Sequence, residues 1–174
     1  MDSDKLDIAV TRAIIDEAVT SKESPDDVLE AGLHAVVEAV ECERGFIMLY
    51  DSNFDELNVF AAHNIDPDTL STTAEVSQTI INNVYEEEKP VMSSNALDDP
   101  RFSEKSSVVI SGLRSILCVP IIAEQGLVGL VYLDNRLRIG AFEIKHQQFL
   151  EEISKKLAEV IMKIFPEMQA KPRK

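Results

Sequence analysis

Two apolar runs dominate the hydropathy pattern: Ser115-Ile-Leu-Cys-Val-Pro-Ile-Ile122 and Leu127-Val-Gly-Leu-Val-Tyr-Leu-Asp134, joined across Ala123-Glu-Gln-Gly126. A tight connection between two such runs predicts a β-hairpin. In the first run Ile116, Cys118 and Ile122 point one way and Leu117, Val119 and Ile121 the other; in the second, Leu127, Val131 and Leu133 oppose Val128, Leu130 and Tyr132. Neither face is polar, so the hairpin is expected at the centre of a sheet covered on both sides. Pro120 cannot donate to a ladder, which marks either a bulge or a stretch paired on one side only.

The remaining pattern supplies the other elements. Asp4–Ser21 reads as a helix with Leu6, Val10, Ile14 and Ala18 on one side. Ser24-Pro-Asp-Asp27 is a helix start, with Ser24 as N-cap, and Val28, Leu29, Leu33, Val36, Val37 and Val40 give the following helix a broad apolar stripe. Strands are predicted at Phe46–Tyr50, Leu57–Ala62 and, more weakly, Val91–Ser94, with a helix at Ser77–Glu88 presenting Ile80, Ile81 and Val84. Asn95–Gly112 is too long for an ordinary connection and is expected to be functional or to hold a short helix. A last helix, Phe142–Phe165, carries Phe149, Ile153, Leu157, Val160 and Ile164 on one stripe and stops at Pro166. This order predicts an α+β fold: a mostly antiparallel sheet, with the N- and C-terminal helices on one face and the inserted helix and long loop on the other.

The 174 residues, 45% hydrophobic, are enough for one domain with a real core. Three parts are expected: an N-terminal helix over 1–22, the main domain over 23–166, and a disordered basic tail over 167–174. The formal net charge of −14 argues against nucleic acid and anionic membrane surfaces as partners. No apolar run spans a bilayer and Met1-Asp-Ser-Asp-Lys5 lacks a signal pattern, so a cytoplasmic location is expected. Cys42 and Cys118 have no CxxC spacing and read as buried free thiols.

The hairpin sequence, followed by Gly140-Ala-Phe142 before a long helix and preceded by Asp98-Asp-Pro-Arg-Phe102, resembles the GAF family of small-molecule sensor domains, especially those attached to bacterial histidine kinases and transcriptional activators. The likeness runs from about Ser24 to Phe165. It implies a six-stranded, PAS-like antiparallel sheet, one strand more than the pattern alone gives. It also implies a ligand pocket opposite the terminal helices, and pairing of those helices with a second copy to form a homodimer. Cyclic-nucleotide-binding members carry Asn-Lys, then Phe, then Asp-Glu. Here Asn135-Arg136 and Phe142 are followed by His146-Gln147, so the motif is incomplete and the small molecule stays unidentified.

The ligand-binding candidates are Asn95, Asp98, Phe102, Val109, Arg114, Cys118 and Tyr132. Arg114 opens a buried strand; it either meets a phosphate or carboxylate in the pocket or pairs with Asp98, Asp99 or Asp134. Cys118 and Tyr132 face the pocket floor or serve as ordinary core. Asp134-Asn-Arg136 is expected to shape the turn after its strand. His63, ending a strand, is the candidate for a haem ligand, as a lone histidine without a supporting motif. A sulfoxide-reductase reading needs a resolving cysteine near a thiolate, and a bilin needs an exposed cysteine between 63 and 112; neither is present in the sequence. No Ser-His-Asp order, phosphate loop or metal cluster is evident, so no catalytic residue and no cofactor are expected. The expected function is a ligand-binding regulatory domain that passes occupancy to its terminal helices. The alternative is a dimerisation scaffold whose pocket is plugged by Leu97, Phe102 and Ile110.

Overall fold

The computed structural model describes residues 6–21, 24–66, 75–102 and 114–172. Helix α1 (Ile8–Thr20) starts at Asp7, whose carboxylate accepts the Val10 N–H. Helix α2 (Pro25–Val40) opens on a full capping box: the Ser24 hydroxyl accepts the Asp27 N–H, and the Asp27 carboxylate accepts the Ser24 N–H. There follow β1 (Arg44–Asp51), β2 (Glu56–His63), α3 (Glu75–Glu87), β3 (Val91–Ser93), β4 (Ser115–Ala123), β5 (Gly126–Asn135) and α4 (Ile144–Ile164). The strands form one antiparallel sheet in the order β2-β1-β5-β4-β3.

The β4–β5 hairpin forms the centre, as its two apolar faces require. Every residue of β5 is buried, between β1 and β4. Leu117, Val119, Ile121, Val131 and Leu133 face α2 and α4, whereas Ile116, Cys118, Leu130 and Tyr132 join Ile80, Ile81 and Val84 of α3. Val128 departs from the expected alternation. Ile121 opposes Gly129 while Ile122 opposes Leu127, so Val128 is the extra residue of a bulge and joins the helix-side core with Val131. Pro120 sits where β4 is paired on one side only, because β3 reaches no further than Cys118. The missing N–H is therefore tolerated. The sheet has five strands among the described residues, against the six implied by the family likeness.

Two expectations change. On α1 the buried positions are Thr11, Ile15 and Ala18, while Val10 and Ile14 are 55% and 41% exposed. Both sets recur at helical spacing, and contact with α2 and α4 selects the first. The tail is also not free as far as residue 172: Lys171 is only 7% exposed and its backbone bridges Leu127 of β5. Its partners lie far away in sequence, so composition alone reads the segment as solvated.

Candidate functional site

The α3 face of the sheet has a floor built by strand register. Ala62, Phe46, Tyr132, Cys118 and Val91 are successive cross-strand neighbours from β2 to β3, and all belong to the core cluster beneath α3. Phe46 and Tyr132 stack with ring centroids 4.6 Å apart and planes 12° from parallel. Phe102, 1% exposed, comes in from the segment after β3 and packs into the same cluster with Ala96 and, in part, Leu97. Thus Phe102, Cys118 and Tyr132 of the expected set are brought together.

One strand step away the floor becomes polar. Arg44, Asp134, Ile116 and Ser93 form the next cross-strand row. Asp134 is buried and takes a bidentate contact from Arg44, Nε to Oδ1 at 2.7 Å and Nη2 to Oδ2 at 2.6 Å. Burial raises the Asp134 carboxyl, and the Arg44 contact and the Tyr132 hydroxyl oppose that rise. Asp134 is therefore an ion-pair partner, not the turn former expected. Asn135 alone takes the turn role, its Oδ1 accepting the N–H groups of Leu137 and Arg138.

At the sheet edge the Ser93 hydroxyl donates to Asp99 Oδ2 at 2.7 Å. Arg101 grips both oxygens of Asp99, donates to the Met92 carbonyl at 2.7 Å, and lies 5.0 Å from the Phe102 ring centroid. The Arg101 guanidinium, with the Ser93 hydroxyl beside it, holds the Asp99 carboxyl down at about 2. This clamp fixes the segment that delivers Phe102. The Asp-Pro-Arg-Phe motif signals the segment, but the sequence offers Asp99 only as one possible partner of Arg114 and gives Arg101 no role.

Asn95 donates to Asp98 at 2.6 Å, and its Oδ1 is buried with no hydrogen-bond partner among the described residues. Asp98 is exposed. Arg114 is half-buried; its carbonyl accepts the Ala96 N–H and its N–H donates to the Asn135 carbonyl. The carboxylates proposed for it are engaged elsewhere, Asp134 by Arg44, Asp99 by Arg101 and Asp98 by Asn95. Val109 and Ile110 lie outside the described residues.

The two cysteines stand on opposite faces of the sheet, Cys118 in the floor and Cys42 against the helix-side core. Burial pushes the Cys42 thiol up to about 12 and the Cys118 thiol higher still, so neither is a ready thiolate. His63 is also on the helix side, its ring 5.9 Å from that of His34, where both line an open cavity of about 600 Å3. It therefore lies on the opposite face of the sheet from the floor and provides no haem ligand there. In the incomplete nucleotide motif, Arg136 is held by Glu43 at 2.8 Å, and the His146 Nδ1 accepts the Glu143 N–H. No helix among the described residues is long and apolar enough to cross a membrane.

This arrangement has known counterparts. The fold superposes on the GAF domain of a phosphoenolpyruvate-protein phosphotransferase from Acinetobacter with a TM-score of 0.72, at 20% identity over 92% of this chain and 96% of that one. It also superposes on the free methionine-R-sulfoxide reductase of Neisseria meningitidis with a TM-score of 0.67, at 17% identity over 92% of this chain and 93% of that one. In sequence, 80 residues are 34% identical to hybrid signal transduction histidine kinase G of Dictyostelium discoideum, covering 46% of this chain and 2% of that protein. The GAF domain family profile matches residues 24–161, which contain the whole sheet, its floor, α2, α3 and most of α4. The chain belongs to the GAF domain family.

Proposed function

We propose that this is a non-catalytic sensory GAF domain of a signalling protein, binding a small molecule on the α3 face and reporting occupancy through α1 and α4. The observation that carries the reading is an apolar floor with a polar rim. Phe46, Cys118 and Tyr132 offer a flat hydrophobic bed, while the buried acceptor of Asn95, the half-buried Arg114 and the Arg44–Asp134 pair stand along one side of it. That combination suits a flat ligand with a few polar groups. Asp98 and Val109 complete the proposed binding set. Ligand contact with the 95–114 segment would favour one packing of the sheet and bias the terminal helices by population shift. Those helices are the proposed homodimer contact, because α1 leaves Val10 and Ile14 uncovered. The high, buried thiols favour a binding module over redox chemistry. Neighbours of this fold include both the GAF domain of a phosphotransferase and a reductase, so fold alone does not decide.

A second reading, a self-filled scaffold, is favoured by Phe102, which already occupies the floor beside Tyr132 and Cys118. A thermal-shift screen with cyclic nucleotides, purines, amino acids and aromatic acids separates the two. A ligand at 100 times its Kd stabilises by about 2.7 kcal/mol. Under the sensory reading, one class raises the Tm of the wild type and Phe102→Ala alters that response. Silence from the wild type, with Phe102→Ala gaining a response to small aromatics, would establish the scaffold instead.

A further inference from the structure

The C-terminal segment leaves the helix layer, passes the hairpin end of the sheet, and reaches the opposite layer. Phe165, the cap of α4, meets Phe60 of β2 edge-on at 5.5 Å. Met168 and Ala170 then pack against the helix-side core. Lys171 pairs with β5, its N–H donating to the Leu127 carbonyl at 2.8 Å. From there its ammonium donates to the Tyr85 carbonyl at 2.5 Å and sits 3.7 Å over the Tyr85 ring centroid. Tyr85 lies in the last turn of α3, where carbonyls lack partners within the helix. That turn has no basic residue of its own and runs into Glu86, Glu87 and Glu88. Lys171 supplies the missing cation at the negative end of the helix dipole.

Two further features fit this docking. A Cβ on Gly126 would stand 2.5 Å from the Lys171 carbonyl, so a side chain there would push the segment off. The Tyr85 hydroxyl donates to Asp55 at 2.6 Å, and Tyr50 donates to the same oxygen at 3.0 Å. The end of α3 is thus fastened both to the β1–β2 turn and to the tail.

We propose that residues 165–172 are a strap that couples α3 to the C-terminal end of α4 around the hairpin end of the sheet, with Lys171 as its fastening. The strap gives a displacement of α3 a route to α4 along its own backbone, which touches the sheet at Phe60 and Leu127. Its use in signalling rests on the sensory reading above; the fastening itself does not.

Hydrogen exchange on the full chain, without added ligand, tests it. Lys171→Met keeps the aliphatic stem and removes the charge; Lys171→Arg keeps the charge. With Met, amides of the last turn of α3 and of residues 165–172 should exchange about tenfold faster together, while α2 and β5 stay unchanged. With Arg, both regions should stay within about threefold of wild type. A change confined to 165–172, or a uniform rise across the chain, overturns the coupling. A ligand screen that fails while this pattern holds would remove the sensory reading and leave the strap standing.

Discussion

At the scale of single residues, the candidate site is organised by charges whose partners are distant in the chain or hidden by a local motif. Asp99 is the clearest case. Its carboxyl is held at about 2 because Arg101 and Ser93 bond its charged form. The folded value lies below the unfolded one, so the stabilisation is full above about pH 4 and is lost as pH falls toward 2. Asp99→Asn should cost about 1–3 kcal/mol at pH 7, since it removes the negative charge and one of the two acceptor oxygens that Arg101 and Ser93 share. The difference from wild type should shrink below pH 3. Urea unfolding at the two pH values checks this, and a difference that grows on acidification would contradict it. Arg44–Asp134 could not be read from sequence, because 90 positions separate the partners and only the β1–β5 register sets them opposite each other. The same ignorance of register leaves Asp134 among three possible partners of Arg114 in the sequence.

At the scale of elements, what was legible depended on whether one local period had one packing solution. Residues 116–122 of β4 and 127–133 of β5 run without a polar position, so their central place followed directly, and Ser24 with Asp27 announced the start of α2. Helix α1 was ambiguous because Val10 and Ile14 compete with Thr11 and Ile15 for the inward face. The β-bulge at Val128 was invisible, since it is a property of the pair and not of either strand. The strap was invisible too, as Lys171 meets Tyr85 across 86 positions. The outcome on α1 has a consequence: Val10 and Ile14, one turn apart and uncovered, form the natural seam for a second copy under the proposed dimer. A Val10→Glu, Ile14→Glu double variant should elute and sediment as a monomer. Because both sites are exposed, its Tm at concentrations where the wild type is also monomeric should stay within a few degrees. A variant that remains dimeric places the interface elsewhere.

At the scale of the molecule, the sheet separates two layers that are tied back together at both ends. The helix side holds the larger core among the described residues, with Lys156 and Asp16 joining α4 to α1. At one end Ser115 binds the Ser94 and Arg138 carbonyls and accepts the Ala141 N–H; at the other Lys171 reaches Tyr85. Over this frame lies a formal net charge of −14, and its response to salt is decided by two opposing contributions. Exposed pairs such as Lys155–Glu152 and Lys145–Glu143 are screened by salt, but each contributes only about 0–1 kcal/mol. The buried Arg44–Asp134 pair is screened little. Repulsion among the surplus carboxylates acts over the whole surface, and at 0.1 M salt it is already damped beyond about 10 Å. Relief of repulsion should therefore win. Raising NaCl from about 20 to about 500 mM should lift the Tm by about 3 °C, near 1 kcal/mol for a chain of this size. The same experiment in sodium bromide should give a comparable rise, because screening depends on ionic strength and not on the anion. A Tm that falls in both salts would mean that the ion pairs outweigh the net charge in holding the fold.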